Sequence, residues 1–380
     1  MKIGVFTYGI EGERMTGIAR YTVELTRALR RVDPTLEITL LNPYPDDPHP
    51  WYREFPTYPL PLLRRLPLAA TLGNWQLHRA ARELELDVLH DPCGIAPFLV
   101  PRGTAPYARV TTVCDAIPLV YPRTQPLLTR AVFHTLVRAS GRTADAIVTI
   151  SEASRRDLVR TLGLPDEKIH VTLLATNESA APLPAEAVEA ILTRLGATPP
   201  YLLYVGALHP RKNLPRVLEA FARVRADAPE ATLVIVGPPS WGASDVLRHV
   251  LARTGDGVTF TGFVSDADLQ ALYQGAHALV FPSLYEGFGL PPLEAMAAGT
   301  PVVTSNVSSL PEVVGDAALL VDPTSVDGIA DAMARLMRDD ELRVDLARRG
   351  RERSRAFSWA ATARATLEVY RAVVRRGAVP

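Results

Sequence analysis

Short apolar runs rich in Val, Ile and Leu alternate with longer amphipathic stretches over most of the 380 residues. In the first half, KIGVF, EITLL, DVLH, RVTTVC, DAIVTI and HVTLL predict strands. Between them, Gly17 to Arg31, Gly73 to Glu85, Pro126 to Arg142 and Ser151 to Leu162 predict helices. Ser151 is placed to cap the last of these, its hydroxyl accepting from a first-turn amide. The second half repeats the alternation with YLLYVG, TLVIVG, VTFTG, ALVFPS, PVVTS and ALLV. This pattern implies an α/β chain with parallel sheets covered on both faces.

The two series are separated by Thr176 to Pro200, rich in Ala and Pro, with one short helix predicted around Glu186 to Leu195. Read as an interdomain connection, it gives domains 1–176 and 177–358, followed by a last helix, Trp359 to Arg375. Pro43 to Leu72 is less regular. It carries Trp51, Tyr52, Phe55 and Tyr58 among prolines, then PLLRRLPLAA. A packed irregular loop and a segment lining an acceptor or touching a membrane through Arg64 and Arg65 both fit it.

Length allows two domains with proper cores. Acidic and basic residues balance at 41 each, so no global field points to nucleic acid. No apolar run approaches the ~20 residues of a membrane span, and MKIGVFTYG is too short for a signal peptide. With Cys93 and Cys114 as the only cysteines, a reduced, cytoplasmic protein is the expectation, peripheral contact with the inner membrane face staying open. A zinc site built on His90 and Cys93 lacks further ligands at suitable spacing.

The stretch FPSLYEGFGLPPLEAMAAGTPVV, Phe281 to Val303, carries the densest chemistry. It reads as strand, polar loop, helix, strand. Gly287 and Gly289 allow a tight turn before the helix, and Pro291 and Pro292 suit its first turn. A helix N-terminus with free amides and the positive dipole end suits a phosphate or sugar hydroxyls. Glu286 stands at the loop mouth and Glu294 one turn into the helix. Ionised carboxylates only accept hydrogen bonds, so two of them flanking an anion cradle fit a nucleotide sugar, with diols on both sides of a diphosphate. A helix with one dipole-favoured Glu and one surface Glu fits the spacing equally well.

EGFGLPPLEAM is similar to the E-x7-E motif of the retaining glycosyltransferases of family 4, which have the GT-B fold. TGIARYTVELTRAL from Thr16 resembles that family's glycine loop and first helix. ADAIVTISEASRRDLVRTLGLPDEKIHV from Ala144 resembles the end of its first domain, and YLLYVGALHPRKNLPRVLEAFA from Tyr201 the start of its second. VTFTGFVSDADLQALYQGAHALVFPS leads into the main motif, so nearly the whole chain is covered in order. The resemblance implies two Rossmann-like domains facing across a cleft, the C-terminal helix 359–380 packing back on the first.

It also implies roles. Glu286 and the amides near Gly289 and Leu290 would meet the hexose, Glu294 the ribose, and Lys212 with Arg211 the diphosphate. Two cations there would stabilise charge growing on the leaving group. Many members place an Arg directly after the strand-end glycine, where this chain has Ala207. Gly17 would face the donor phosphate, although Thr16 capping a plain helix explains the same residues. Val264 lies in the loop resembling the one that receives the base, and Ser305 with Asn306 would add weaker donor contacts. Cys114 stands where the family usually has a His that contacts the donor hexose. A donor lacking the 6-hydroxyl, or a plain buried thiol, accounts for it. Asp115 and His90 are candidates for the acceptor hydroxyl, His90 being equally readable as a structural histidine. Asp266-Ala-Asp268 spells the metal motif of another glycosyltransferase fold but reads here as a helix cap. Neither metal nor cofactor is expected. GxGxxG is absent, against a nicotinamide enzyme.

The expected activity is retaining transfer of a hexose or deoxyhexose from a nucleotide-diphosphate sugar to a glycan or lipid-linked hydroxyl. Mannosyltransferase-like members make GDP-mannose the first donor to consider. A sugar-nucleotide epimerase, a phosphorylase, or a non-catalytic binding subunit of similar fold remain as alternatives.

Overall fold

The computed structural model describes residues 1–12, 16–96, 105–176, 182–238 and 257–377. Residues 177–181 of the expected interdomain connection therefore lie outside the described residues. The chain separates into two compact units. Unit 1 comprises Met1–Val120, Pro126–Leu174 and Ser358–Pro380, and unit 2 comprises Tyr121–Gln125 and Ala175–Phe357.

In unit 1 the strands are β1 (Lys2–Phe6), β2 (Glu37–Asn42), β3 (Thr57–Pro59), β4 (Val88–Asp91), β5 (Ala108–Thr112), β6 (Ala146–Thr149) and β7 (Ile169–Val171). They form one parallel sheet in the order β3-β2-β1-β4-β5-β6-β7. The apolar runs predict all of these except β3. That strand is a three-residue edge inside the proline-rich segment, where a proline costs no ladder bond. The aromatic cluster before it is core: Trp51, Tyr52 and Phe55 are buried, so a packed segment is what these residues make. Thr16 caps the helix Gly17–Val32 by accepting from the Ala19 amide, and Ser151 caps Glu152–Leu162 through the Ser154 amide. The predicted helix over Pro126 to Arg142 is broken by a π-helical turn, Phe133–Val137, between Leu127–Val132 and Arg138–Thr143.

The last helix, Trp359–Gly377, packs within unit 1. Its Trp359 ring lies 6.4 Å from Tyr21, its Thr362 hydroxyl donates to the Leu173 carbonyl at 2.6 Å, and its Tyr370 hydroxyl reaches His90 Nδ1 at 2.7 Å.

Unit 2 holds β8 (Tyr201–Val205), β9 (Thr232–Val236), β10 (Val258–Gly262), β11 (Ala278–Phe281), β12 (Val302–Ser305) and β13 (Leu319–Val321). Their order is β10-β9-β8-β11-β12-β13, all parallel. β8, β11 and β12 are buried throughout, as expected of parallel strands covered on both faces. One prediction needs correcting. The cap of the helix Asp266–Gly275 is Ser265, whose hydroxyl accepts from the Asp268 amide. Asp266 and Asp268 fall inside the first turn, where their charge favours the positive dipole end. Among the described residues no helix is long and apolar enough to cross a membrane.

Candidate active site

Beyond the carboxyl end of β8 the chain turns at Gly206 and enters a short 3₁₀ turn, Pro210–Lys212. Two positions favour glycine here, one through a contact and one through its backbone conformation. A Cβ on Gly237, at the end of β9, would stand 2.1 Å from the Gly206 carbonyl oxygen, so the two strand ends approach backbone to backbone. A Cβ on Gly206 would make only ordinary contact with Lys212, 3.4 Å from its Cε, and it is the φ of 151° that favours glycine there. Asn213 follows in the left-handed region at φ 63°, where Asn is among the tolerated residues. Its buried amide donates to the Pro282 carbonyl at 2.9 Å and the Pro323 carbonyl at 2.6 Å. The cation-bearing turn is thereby anchored to the ends of β11 and β13. The Tyr204 hydroxyl adds a bond to the Lys212 carbonyl at 3.2 Å.

The turn delivers its charges to Glu286. Lys212 Nζ lies 2.8 Å from Glu286 Oε1, and Arg211 Nη1 lies 2.8 Å from Oε2. All three side chains are at most 13% exposed. Burial alone would raise the Glu286 carboxyl; Lys212 and then Arg211 reverse this and hold it at about 2. Burial also draws the Lys212 ammonium below its usual value, with Glu286 opposing. The cluster keeps one net positive charge. Lys212 Nζ also stands over the Phe281 ring at 4.5 Å.

The loop carrying Glu286 is pinned from the segment after β12. The Glu286 amide donates to Ser308 Oγ at 3.0 Å. Ser309 Oγ lies 2.9 Å from the Glu286 carbonyl and 2.6 Å from that of Phe288. Gly289, at φ 122°, then opens the helix Leu290–Ala298. The amides of Gly289 and Leu290 have no partner among the described residues, and prolines follow. Farther along this helix Glu294, half-buried, accepts from the Tyr273 hydroxyl at 3.0 Å. Val264 lies between exposed Phe263 and the cap Ser265, in the loop leading to the helix that carries Tyr273.

A second set of bonds reaches the cations from Tyr121–Gln125. His209 Nε2 donates to the Thr124 carbonyl at 3.0 Å, while its Nδ1 accepts from the Arg211 amide at 3.2 Å. The Tyr121 hydroxyl donates to the Leu284 carbonyl at 3.1 Å, and its ring lies 5.8 Å from Tyr285.

Unit 2 thus gathers Glu286, Lys212, Arg211, Gly289, Leu290 and Glu294 around the start of one helix. Ser305 is also in this unit, but its hydroxyl is fully buried and donates to the Ser283 carbonyl. The serines that hold the loop are Ser308 and Ser309, three and four residues on.

The remaining candidates belong to unit 1. Gly17 is exposed, with open space where a Cβ would stand. Asp115 is half-buried and accepts from the Ile117 amide at 2.9 Å. Cys114 is half-buried, and burial, followed by the Asp115 charge, pushes its thiol up to about 12. His90 takes the structural role among its two readings. It is fully buried, Nε2 lies 2.8 Å from Thr112 Oγ1 and Nδ1 2.7 Å from the Tyr370 hydroxyl, and burial lowers its pKa to about 3.

Asn213, His209, Ser308, Ser309 and Tyr273 are contributors that the motif reading leaves out. His209 and Asn213 flank the two cations in HPRKN, the one available signal for them. The pairing of Tyr273 with Glu294 spans two helices and leaves no trace in spacing.

The geometry is matched by three comparisons. Residues 15–175 fit the model of Glycosyltransferase Family 4 and residues 193–353 that of Glycosyl transferases group 1. The chain is 32% identical over 373 residues to O-antigen chain mannosyltransferase B of Escherichia coli, covering 94% of this chain and 96% of that protein. Sucrose-phosphate synthase of Thermosynechococcus elongatus shares the fold with TM-score 0.78 at 23% identity over 99% of each chain. Anabaena Alr3699/HepE, solved in complex with UDP-glucose, does so with TM-score 0.76 at 18% identity over 98% of this chain and 100% of that one. The chain therefore belongs to glycosyltransferase family 4, the glycosyl transferases group 1, and is a glycosyltransferase of the GT-B fold.

Proposed function

We propose that this enzyme transfers a hexose, mannose before others, from a nucleotide-diphosphate sugar to a hydroxyl of a glycan or lipid-linked acceptor, with retention at the anomeric carbon. The observation carrying this reading is the buried Glu286–Lys212–Arg211 cluster beside the free amides of Gly289 and Leu290. A diphosphate needs cations and N–H donors on one side, and this cluster offers both. As the leaving group departs, Lys212 and Arg211 stabilise the charge growing on it, so the chain's own residues supply the electrophilic help. Glu294, on the same helix and held by Tyr273, is assigned to ribose hydroxyls. Glu286 is assigned to the hexose.

Mannose as the sugar is supported by the likeness to a mannosyltransferase of Escherichia coli, and GDP-mannose is the first donor to test. A nucleotide sugar in general is supported by the UDP-glucose complex of the Anabaena protein. Glu286 is tied to two cations and is a poor nucleophile in that state. Same-face attack, with the leaving phosphate taking the acceptor proton, fits it better than a covalent sugar.

The test is a donor panel of GDP-, UDP- and dTDP-sugars with pure protein, read first by thermal shift and then by transfer to mannosylated and lipid-linked acceptors. GDP-mannose should give the largest shift and an α-linked product by NMR. Stabilisation by another donor alone would replace the mannose reading, and an inverted product would end the retaining one.

A further inference from the structure

The turn that carries the two cations is bonded on both flanks to one short stretch of chain. Tyr121–Gln125 belongs to unit 2, although Val120 before it and Pro126 after it belong to unit 1. On one flank the Thr124 carbonyl meets His209 Nε2 at 3.0 Å. On the other the Tyr121 hydroxyl donates to the Leu284 carbonyl at 3.1 Å, and the Leu284 amide donates to the Arg211 carbonyl at 2.9 Å. Arg211 therefore lies between two attachments to the same five residues. Its Nη1 donates to the Tyr285 carbonyl beside its pair with Glu286. Tyr121 anchors the segment, and this makes the Thr124 carbonyl a fixed point for His209.

The chemistry of its partners sets the state of His209. A carbonyl oxygen only accepts and a backbone amide only donates. The Thr124 carbonyl therefore requires a proton on Nε2, and the Arg211 amide, 3.2 Å from Nδ1, requires that nitrogen bare. The ring is then neutral and in one tautomer. A protonated ring would lose the Arg211 amide bond and add a third positive charge beside Arg211 and Lys212. Burial lowers the imidazole pKa, the Thr124 bond opposes, and the two cations lower it further. A plain turn cap needs only the bond to the amide, which Asn, Asp or Ser supplies with one side-chain oxygen. The imidazole adds a second nitrogen on the far side of a rigid ring, and in this site that nitrogen is bonded.

We propose that His209 is a positioning residue for sugar transfer: its imidazole bridges the Thr124 carbonyl to the Arg211 amide and so fixes the Arg211 guanidinium where the diphosphate leaves. The inference deepens the proposed function and rests on its assignment of Arg211 to the diphosphate. His209 touches no reacting atom and acts through Arg211. A misplacement of about 1 Å at such a group costs up to about a hundredfold in rate. Loss of the bridge should therefore slow the chemical step more than it weakens donor binding.

Kinetics of the full chain with GDP-mannose and the mannosylated acceptors decide it. His209→Asn keeps an acceptor for the Arg211 amide and removes the link to Thr124. It should melt close to the parent, lower kcat about tenfold and leave donor KM within about twofold. In an Arg211→Gln background the same substitution should change kcat by less than about twofold, because His209 has no other route to the reaction. Nitrogen-15 shifts of the His209 ring in the parent at pH 7 should show the Nε2–H tautomer. Parental kcat in His209→Asn, a tenfold loss that persists in the Arg211→Gln background, or a ring that is charged or protonated at Nδ1 would each overturn the proposal. An Arg211→Gln variant that loses transfer beside a His209→Asn variant that keeps it would end this proposal alone. Parental kcat in Arg211→Gln would end the diphosphate assignment, and this proposal with it.

Discussion

Lys212 Nζ stands 2.8 Å from Oε1 of Glu286, in a site where neither side chain is more than 12% exposed. The pair, with Arg211 on the other oxygen, makes Glu286 the counterion of two buried cations. On the proposed reading, a diphosphate entering here would take over those cations and release Glu286 toward the sugar. Glu286→Gln tests this exchange. Leaving two buried cations uncompensated should cost about 3 kcal/mol of stability. Addition of GDP should then raise the melting temperature more in the variant than in the parent, while transfer is lost. An equal rise in both proteins would rule out the exchange.

The same residue sets part of the acid limit of unit 2. Its folded pKa, about 2, lies below the ordinary 4.5. Its contribution is therefore complete above pH 4.5 and is lost as pH falls toward 2. The linked free energy is about 3 kcal/mol. Urea melts at stepped pH should show this loss in the parent and not in Glu286→Gln.

Gly237→Ala and Gly206→Ala should separate a backbone clash from backbone strain. The first drives a methyl into the Gly206 carbonyl at a backbone φ of 139°, and neither group is a flexible side chain. A loss of several kcal/mol, seen as a large fall in melting temperature, is expected. The second makes only ordinary contact with Lys212 and is strained by its φ of 151° alone. It should destabilise less, by about 1–3 kcal/mol of backbone strain, because no clash accompanies it. Equal effects of the two on melting would show that backbone strain, and not the clash with the Gly206 carbonyl, sets the cost at both positions.

The elements were legible because buried parallel strands are written as unbroken apolar runs and because Thr16 and Ser151 announce their helices. Glu286, Glu294 and Lys212 were legible as residue types set beside glycines and prolines. β3 was not, since a strand of sequence Thr-Tyr-Pro lacks any apolar run and exists only by pairing with β2. His90 was ambiguous for a related reason. A histidine at the end of a strand reads the same whether it faces solvent or, as here, a tyrosine 280 positions away. Ser308 and Ser309 hold the Glu286 loop through backbone groups, which no side-chain pattern encodes. The membership of Tyr121–Gln125 in unit 2 likewise arises from contacts such as Tyr121 to Leu284, formed at long range in the chain.

His90 should dominate the pH response of unit 1 between its two pKa values. Burial holds the folded imidazole neutral down to about 3, against 6.5 ordinarily. The unfolded chain therefore binds the extra proton first, so stability is full above pH 6.5 and falls as pH drops toward 3. The linked loss is about 5 kcal/mol. Asp91, raised by burial to about 6, acts with the opposite sign but is present in both proteins of the comparison. The stability difference between parent and His90→Gln should therefore shrink steadily from pH 7 to pH 3. A difference independent of pH would mean that the imidazole is charged in the folded protein.

Tyr273→Phe isolates what positions Glu294. The hydroxyl donates to Oε2 at 3.0 Å from a ring that is 3% exposed, so the lost bond is replaced by no water from bulk solvent. One hydrogen bond to a charged group is worth about 1.5–3 kcal/mol, and only part of it bears on ligand affinity. Donor KM should rise about tenfold with kcat preserved at saturation, because Tyr273 acts on the carboxylate and not on the reacting carbon. Glu294→Gln should raise KM further, and adding Tyr273→Phe to it should change little, since the two residues act as one unit. The double-mutant cycle for GDP affinity by calorimetry measures this directly. Additive effects would show that Tyr273 serves the fold of its helix and that Glu294 needs no partner to hold its orientation.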